Sequence, residues 1–259
     1  KGEWQWKASW KGLRHSFYVD GIVHHLIDFL DPGKSFTVAE FRDRAIKYCK
    51  LAYRNGAVPL IVGGTGLYID ALRYNLQIPR VAPNKKLRQS LEEKSLDELA
   101  KLLERLDPQG RKEVDIKNKR RVVRALEVCI LTGEPFSAQR QKGEKMFDVL
   151  MIGVDVDRAV LYDRIDKRVD VMMEEGLLAE VELLAKQKYG WNLPSMSGVG
   201  YRQFQHCLDG TITKEQAVEL LKRDTRRFAR RQLTWFRRDR SIEWCRSYEE
   251  MEAKVMAFL

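Results

Sequence analysis

The stretch Ala57–Gly64, AVPLIVGG, restricts the possible folds more than any other part of the chain. A half-exposed strand alternates apolar and polar side chains, so an unbroken apolar run of this length predicts a strand buried on both faces of a parallel sheet. A helical pattern follows from about Gly66 to Tyr74, which makes the segment half of a βα unit. Another helix is predicted before it, from about Thr37 to Arg54, with Val38, Phe41, Ala45, Tyr48, Leu51 and Ala52 on one side and Asn55-Gly56 closing it. The expected fold class is α/β with a doubly wound core.

The turn after the strand, GGTGLYID, has the position of a phosphate loop but not its residues. A Walker-type loop, GxxxxGK[ST], wraps phosphate in backbone amides and adds a Lys for charge and a hydroxyl for Mg²⁺. No Lys follows these glycines. Two readings stand: a loop that contacts substrate, or a tight turn needing glycine for positive φ. Thr65 favours the first. Its hydroxyl would lie at a helix N-terminus on the C-terminal edge of a parallel strand, where α/β sheets bind ligands.

Before this unit, aromatic and basic residues alternate in WQWKASWKGLRHSFYVDG. A hairpin turning at Lys11-Gly12, with Trp4, Trp6, Trp10, Phe17 and Tyr18 as its aromatics, explains them better than base stacking. After it, from Gln77 to Gln141, the pattern is wholly helical, which reads as an insert at about 77–145 between core segments 1–76 and 146–259. An apolar strand of about six residues returns in FDVLMIGVDVDRAVL, and a long helix begins near Asp157, a good N-cap. Helices are expected at about Gly200–Leu208 and Lys214–Arg238, then a last strand in SIEWCRS.

No apolar run approaches the length of a membrane span, and the first residues lack the apolar core of a signal peptide. No membrane partner is expected. Cys49, Cys129, Cys207 and Cys245 are scattered without a CxxC, and the four histidines form no HExxH, so neither a disulfide framework nor a zinc site is suggested. A cytoplasmic location follows from that cysteine usage. His24 and His25 near Asp28 and Asp31 read as turn and capping groups rather than a metal site.

The net charge of +10 is concentrated. Nine Lys or Arg against two Asp fall between Lys222 and Arg240, and seven against two acids between Arg111 and Arg124. Solvated helix faces usually mix signs; these scarcely do, and a polyanion is the expected partner. In the helix after Asp157, Leu161, Ile165, Val169 and Met172 form an apolar stripe into which Arg168 falls, with Asp163, Asp166, Lys167 and Asp170 opposite. Such an Arg either pairs with a structural carboxylate or is held at a pocket wall for bidentate phosphate binding. Arg164 lies nearer the edge of the stripe.

Taken in order, HHLIDFLDP, VPLIVGGTGLY, RRVVRALEV, LYDRIDKRVDVMMEEGL, SGVGYRQF and RRQLTWFRR resemble the tRNA dimethylallyltransferase (tRNA isopentenyltransferase) family from about Ile22 onward. The resemblance implies a P-loop NTPase-like parallel-sheet core with an all-helical insertion domain, the two gripping a tRNA anticodon stem-loop. It implies attack by N6 of adenosine 37 on C1 of dimethylallyl diphosphate, assisted by Mg²⁺. By the same resemblance Arg168, with Arg164 beside it, binds diphosphate, and Thr65 contacts the target nucleotide; Thr65 and Arg168 are the catalytic candidates. Arg88, Arg120, Arg121, Arg124, Ser197, Gly198, Val199, Gly200, Tyr201 and Arg202 match tRNA-contacting positions. Arg227 and Arg231 join them from the basic helix. A monomer is expected.

The family's GPTxxGKT-like loop and DSxQVY-like segment do not occur in this sequence, which is expected to be an N-terminally truncated member. The general base and the Mg²⁺ ligand are then not among these residues. Two rivals remain at this level: a non-catalytic tRNA-binding module and a nucleotide-kinase-like phosphotransferase.

Overall fold

In a computed structural model the described residues are 3–9, 12–139 and 141–259, with side chains described from Phe17 onward except at position 140. They belong to two compact units, Lys1–Phe36 with Val149–Leu259, and Thr37–Asp148.

The first unit opens with an antiparallel meander of β1 (Glu3–Ser9), β2 (Gly12–Val19) and β3 (Ile22–His24). β1 and β2 pair from Glu3↔Tyr18 to Ser9↔Gly12, which is the backbone of the expected hairpin. Gly12 opens β2 rather than sitting in the turn; Lys11 and Trp10, and the side chains of Trp4 and Trp6, lie outside the described residues. A second hairpin was not expected. Asp20 and Gly21, with φ of 49° and 77°, join Val19 to its partner Ile22, and this two-residue left-handed turn matches the right-handed twist of the strands.

The second unit begins with α1 (Val38–Arg54), started by a capping box between Thr37 and Glu40 and closed at Asn55 and left-handed Gly56. Its buried stripe is Ala39, Arg42, Ala45 and Cys49, so the expected apolar side is rotated: Leu51 is 45% exposed. Arg42 can take that place because its guanidinium donates to the Leu76 carbonyl and to Asp43. The strand predicted at Ala57–Gly64 is not formed. Its backbone joins no ladder, and Leu60 and Val62 are 84% and 85% exposed rather than buried on both faces. A parallel strand exists only through neighbours that accept its hydrogen bonds, and no described strand lies beside this one.

After α2 (Gly66–Arg73) come α3 (Lys85–Glu92), α4 (Leu96–Leu106), α5 (Pro108–Glu113), α6 (Lys119–Thr132) and α7 (Phe136–Gln139), helical throughout as the sequence indicates. Leu91, Leu99, Leu103, Val122, Val123, Ala125 and Leu126 form their core. The second unit, Thr37–Asp148, thus holds α1 and α2 together with these helices.

The chain then re-enters the first unit through β4 (Ile152–Val154), three residues long where about six were expected. α8 (Arg158–Glu174) starts where Asp157 accepts from the amides of Ala159 and Val160 at 2.8 and 3.2 Å. Gly176, at φ 100°, ends that run and begins α9 (Leu177–Lys186), a break not anticipated. α10 (Arg202–Leu208) and α11 (Lys214–Phe236) follow as expected, and β5 (Glu243–Cys245) pairs with β4 in parallel. α12 (Tyr248–Phe258) completes the unit. Val169, Leu177, Val181, Phe204, Ala217 and Leu221 form the core that fastens α8 and α10 to α11. Among the described residues no helix is long and apolar enough to cross a membrane.

Candidate anion-binding site

In the second unit Thr65 takes the N-cap position of α2, but its side chain makes no capping bond. Its hydroxyl is exposed at the helix start. Neither Gly63 nor Gly64 has a positive φ, so the glycine pair does not serve a left-handed turn. What the pair provides is a backbone free of side chains beside Thr65.

The basic stripes of this unit divide in two. Glu127 on α6 is fully buried, and Arg88 grips it through Nε and Nη2, both at 2.8 Å. Arg124 donates to the same carboxylate at 2.6 Å and to the Val81 carbonyl at 3.0 Å, while the Asn84 amide adds a third donor. Burial pushes the Glu127 carboxyl up, yet these donors outweigh it and hold it below the usual range. Arg88 and Arg124, matched by resemblance to tRNA-contacting positions, therefore have their charge committed to a structural carboxylate and remain only partly exposed. Arg120 and Arg121 are exposed, with Arg121 3.7 Å from Asp115. Glu127 was not singled out from the sequence, although an acid among VVRALEV at the spacing of the buried residues is the available signal.

In the first unit α8 carries Arg164 and Arg168 one turn apart, and neither makes an ion pair among the described residues. Arg168 is exposed beside the apolar stripe, not within it, since the buried position is Val169. The pairing with a structural carboxylate that would have explained it away does not occur. Asp166 and Asp170, expected on the far side, instead meet α11: Arg226 donates to Asp166 at 2.6 Å and Lys222 to Asp170 at 2.6 Å. α8 therefore turns Asp166 and Asp170 to α11, pairs Asp163 with its own Lys167, and leaves Arg164 and Arg168 unneutralised. Like charges at i,i+4 are mildly unfavourable, so an anion between them is favoured.

A cavity of about 800 Å³ lies beside the N-terminal turns of α8, lined by Arg164, Arg230, Arg237 and Arg246 with Leu161 and Leu233 among its apolar walls. Asp155 neutralises part of it, 3.1 Å from Arg246 and 3.9 Å from Arg237.

The turn Ser197–Arg202 is held by its own hydrogen bonds. Ser197 donates to the Pro194 carbonyl at 2.8 Å, and Gly200, at φ 116°, donates its amide to Gln203 at 3.0 Å. Gly198 leads into this bend and Val199 projects from it, 37% exposed. The Tyr201 hydroxyl donates to Glu180, and its pKa is pushed up to about 12 by burial and by that carboxylate. Arg202 reaches Asp224 on α11, which Arg223 and Arg227 also face. Arg231 lies over the Phe228 ring at 5.7 Å, and Arg230 makes no ion pair among the described residues. Asp224 was missed in the sequence, where a lone acid inside an arginine run is the mark.

His24 and Asp31 take the turn roles expected of them: His24 Nδ1 lies 3.0 Å from the Ile22 carbonyl, and Asp31 accepts from the Gly33 amide and the Tyr189 hydroxyl. Among the described residues no group of three or more His, Cys, Asp or Glu gathers as a metal site. These residues offer no carboxylate cage for Mg²⁺, so that ion would reach the site with the phosphates of a substrate.

A family model described as IPP transferase matches residues 17–239. A tRNA dimethylallyltransferase of Acetivibrio thermocellus is 40% identical over 232 residues, 87% of this chain and 74% of the relative. One of Pelotomaculum thermopropionicum is 42% identical over 242 residues, 92% and 77% of the two chains. The solved full-length tRNA isopentenylpyrophosphate transferase of Bacillus halodurans aligns at a TM-score of 0.64 and 36% identity, covering 92% of this chain and 78% of that one. The Staphylococcus epidermidis structure aligns at 0.62 and 35% identity, covering 92% and 80%.

Proposed function

This chain belongs to the IPP transferase family, and from that membership we propose how its residues serve the transfer of a dimethylallyl group to tRNA. The observation that carries the reading is the family match over residues 17–239, with relatives of this activity covered over about three quarters of their length. The donor is dimethylallyl diphosphate and the acceptor N6 of adenosine 37 in an anticodon stem-loop. The N6 lone pair forms a bond to C1 as the C1–O bond breaks; diphosphate departs with the electron pair, and N6 gives up a proton.

The charge on the leaving diphosphate increases as the C–O bond lengthens, so fixed cations aimed at it stabilise the transition state more than the ground state. Arg168 and Arg164 supply those cations, and what supports the assignment is that both keep their charge unpaired. Thr65, with an uncommitted hydroxyl in a glycine-flanked turn, contacts the target nucleotide. The base must leave its stack to be alkylated, and that requires a grip on the flanking phosphates. Arg120, Arg121, Ser197–Arg202, Arg227 and Arg231 provide it, while Arg88 and Arg124 act mainly through the shape of the helical unit. Mg²⁺, where it accompanies the diphosphate, would offset part of the phosphate charge; the protein acts as a monomer, and its compartment is the cytoplasm.

The test incubates the chain with unmodified anticodon stem-loop, labelled dimethylallyl diphosphate and Mg²⁺. Label on adenosine is the expected result. Salt-sensitive RNA binding without label transfer would leave a tRNA-binding module, and the absence of both would overturn the reading.

A further inference from the structure

Asp224 is the one acid among Arg223, Arg226 and Arg227, and only 14% of its side chain is exposed. Its two oxygens are shared among groups from two elements. Oδ2 accepts from Gln203 Nε2 at 3.0 Å and from Arg202 at 3.4 Å, while Oδ1 accepts from Arg223 Nε at 3.2 Å and lies 3.6 Å from Arg227. Gln203, 4% exposed, uses its other end to accept the Gly200 amide at 3.0 Å. A continuous chain of hydrogen bonds therefore runs from the bend at Gly200 through Gln203 to Asp224 and out to the guanidiniums of Arg202 and Arg223, with Arg227 in ion-pair range. Gly200, with φ of 116°, adopts a conformation that an L side chain rarely takes, and the hydrogen bond from its amide to the buried Gln203 holds the bend in place.

Three arginines around one carboxylate keep two net positive charges, which a structural ion pair would not. The side chains of Arg202, Arg223 and Arg227 remain 49%, 47% and 51% exposed, with donors left over for phosphate oxygens. Arginines this close repel one another and would splay apart without a common anion between them.

We infer that Asp224 is a positioning residue for RNA recognition: it aligns Arg202 of the turn with Arg223 and Arg227 of α11 as one phosphate-binding row. The inference rests on tRNA being the substrate. Net charge and positioning predict opposite signs for one substitution. Asp224→Asn raises the chain's positive charge, so a merely solvated acid predicts tighter RNA binding with a steeper salt dependence. Positioning predicts the reverse, because arginines that no longer share a partner present fewer simultaneous contacts.

The experiment measures binding of unmodified tRNA against salt concentration, and binding of dimethylallyl diphosphate, for the wild type, Asp224→Asn and Asp224→Glu. The expected result for Asp224→Asn is tRNA binding weaker by about tenfold, with a log–log salt slope shallower by about one. Diphosphate affinity should be unchanged, and Asp224→Glu should recover part of the tRNA loss. Unchanged or tighter tRNA binding overturns the inference, and so does an equal loss of both ligands, which marks a structural role. If Asp224→Asn melts early, Arg202→Ala is added to the wild type and to Asp224→Asn, and tRNA binding is compared at a temperature where all the variants fold. Additive losses overturn the inference. A smaller effect of Arg202→Ala in the Asp224→Asn background than in the wild type supports it. Failure of the wild type to bind tRNA would instead sink the functional reading, and this inference with it.

Discussion

Arg168 holds its charge in solvent without a carboxylate, whereas Arg88 and Arg124 give theirs to the buried Glu127, and substitution should separate these two kinds of arginine. Arg168→Ala is expected to weaken dimethylallyl diphosphate binding by about 1.5–3 kcal/mol, the range of a hydrogen bond to a charged group, while leaving stability and tRNA affinity nearly unchanged. Calorimetric titration with the diphosphate, beside a tRNA binding curve, checks both halves, and parallel losses would remove its assigned role. Replacing Arg88 and Arg124 together by Ala leaves Glu127 without a countercharge and should cost about 3–5 kcal/mol in urea unfolding. A stability change near zero would mean that their contact with Glu127 is not what they are for. The pH dependence has a definite sign. The carboxyls of Glu127 and Asp107 are both held below their usual values, against burial that pushes them up, by Arg88 and Arg124 for the first and by Ser137 for the second. Depressed carboxylates contribute stability above their unfolded pKa of about 4, and it is lost as pH falls through the lower folded values. Acid titration of the unfolding midpoint should therefore show a decline that Glu127→Gln with Asp107→Asn flattens.

At the scale of elements, α11 is both a core helix and a charged surface. Ala217 and Leu221 enter the core, Arg226 and Lys222 tie it to α8, and Arg223, Arg227, Arg230 and Arg231 stay exposed. Arg227→Glu combined with Arg231→Glu should weaken tRNA binding and reduce the log–log salt slope by about two, because each lost phosphate contact removes about 0.9. An unchanged slope would show that this face is only solvated. The helices themselves were legible because their signals are local: Asp157 caps where the sequence places it, and capping boxes of Thr37 with Glu40 and of Ser95 with Glu98 start two others. The site was legible less evenly. Arg164 and Arg168 share a face by spacing alone, but that Asp166 and Asp170 would turn to α11 depends on where the neighbouring helix lies. The same limit hid Asp224, whose partners include Arg202 and Gln203, 22 and 21 residues away.

For the molecule as a whole, the exposed apolar segment Val58–Val62 bears on behaviour in solution. Val58, Leu60, Ile61 and Val62 are 59%, 84%, 45% and 85% exposed on a backbone without ladder partners, a combination that invites pairing between chains. Leu60→Lys with Val62→Lys should lower self-association in light scattering while shifting unfolding by no more than about 0.5 kcal/mol per substitution. A large loss of stability would show that these side chains are covered in solution. The sequence by itself determined the α/β class, most of the helices, the concentration of positive charge and the family, because periodicity and motif order are written in neighbouring residues. Only the tertiary structure decided which arginines keep their charge for a ligand, which gather around Asp224 with charge to spare, and which lose it to Glu127 or Asp155. It also decided that Val58–Val62 lies without a sheet around it. Ion pairs and strand ladders are made between segments far apart in the chain, and a buried strand is defined by its neighbours as much as by its own residues.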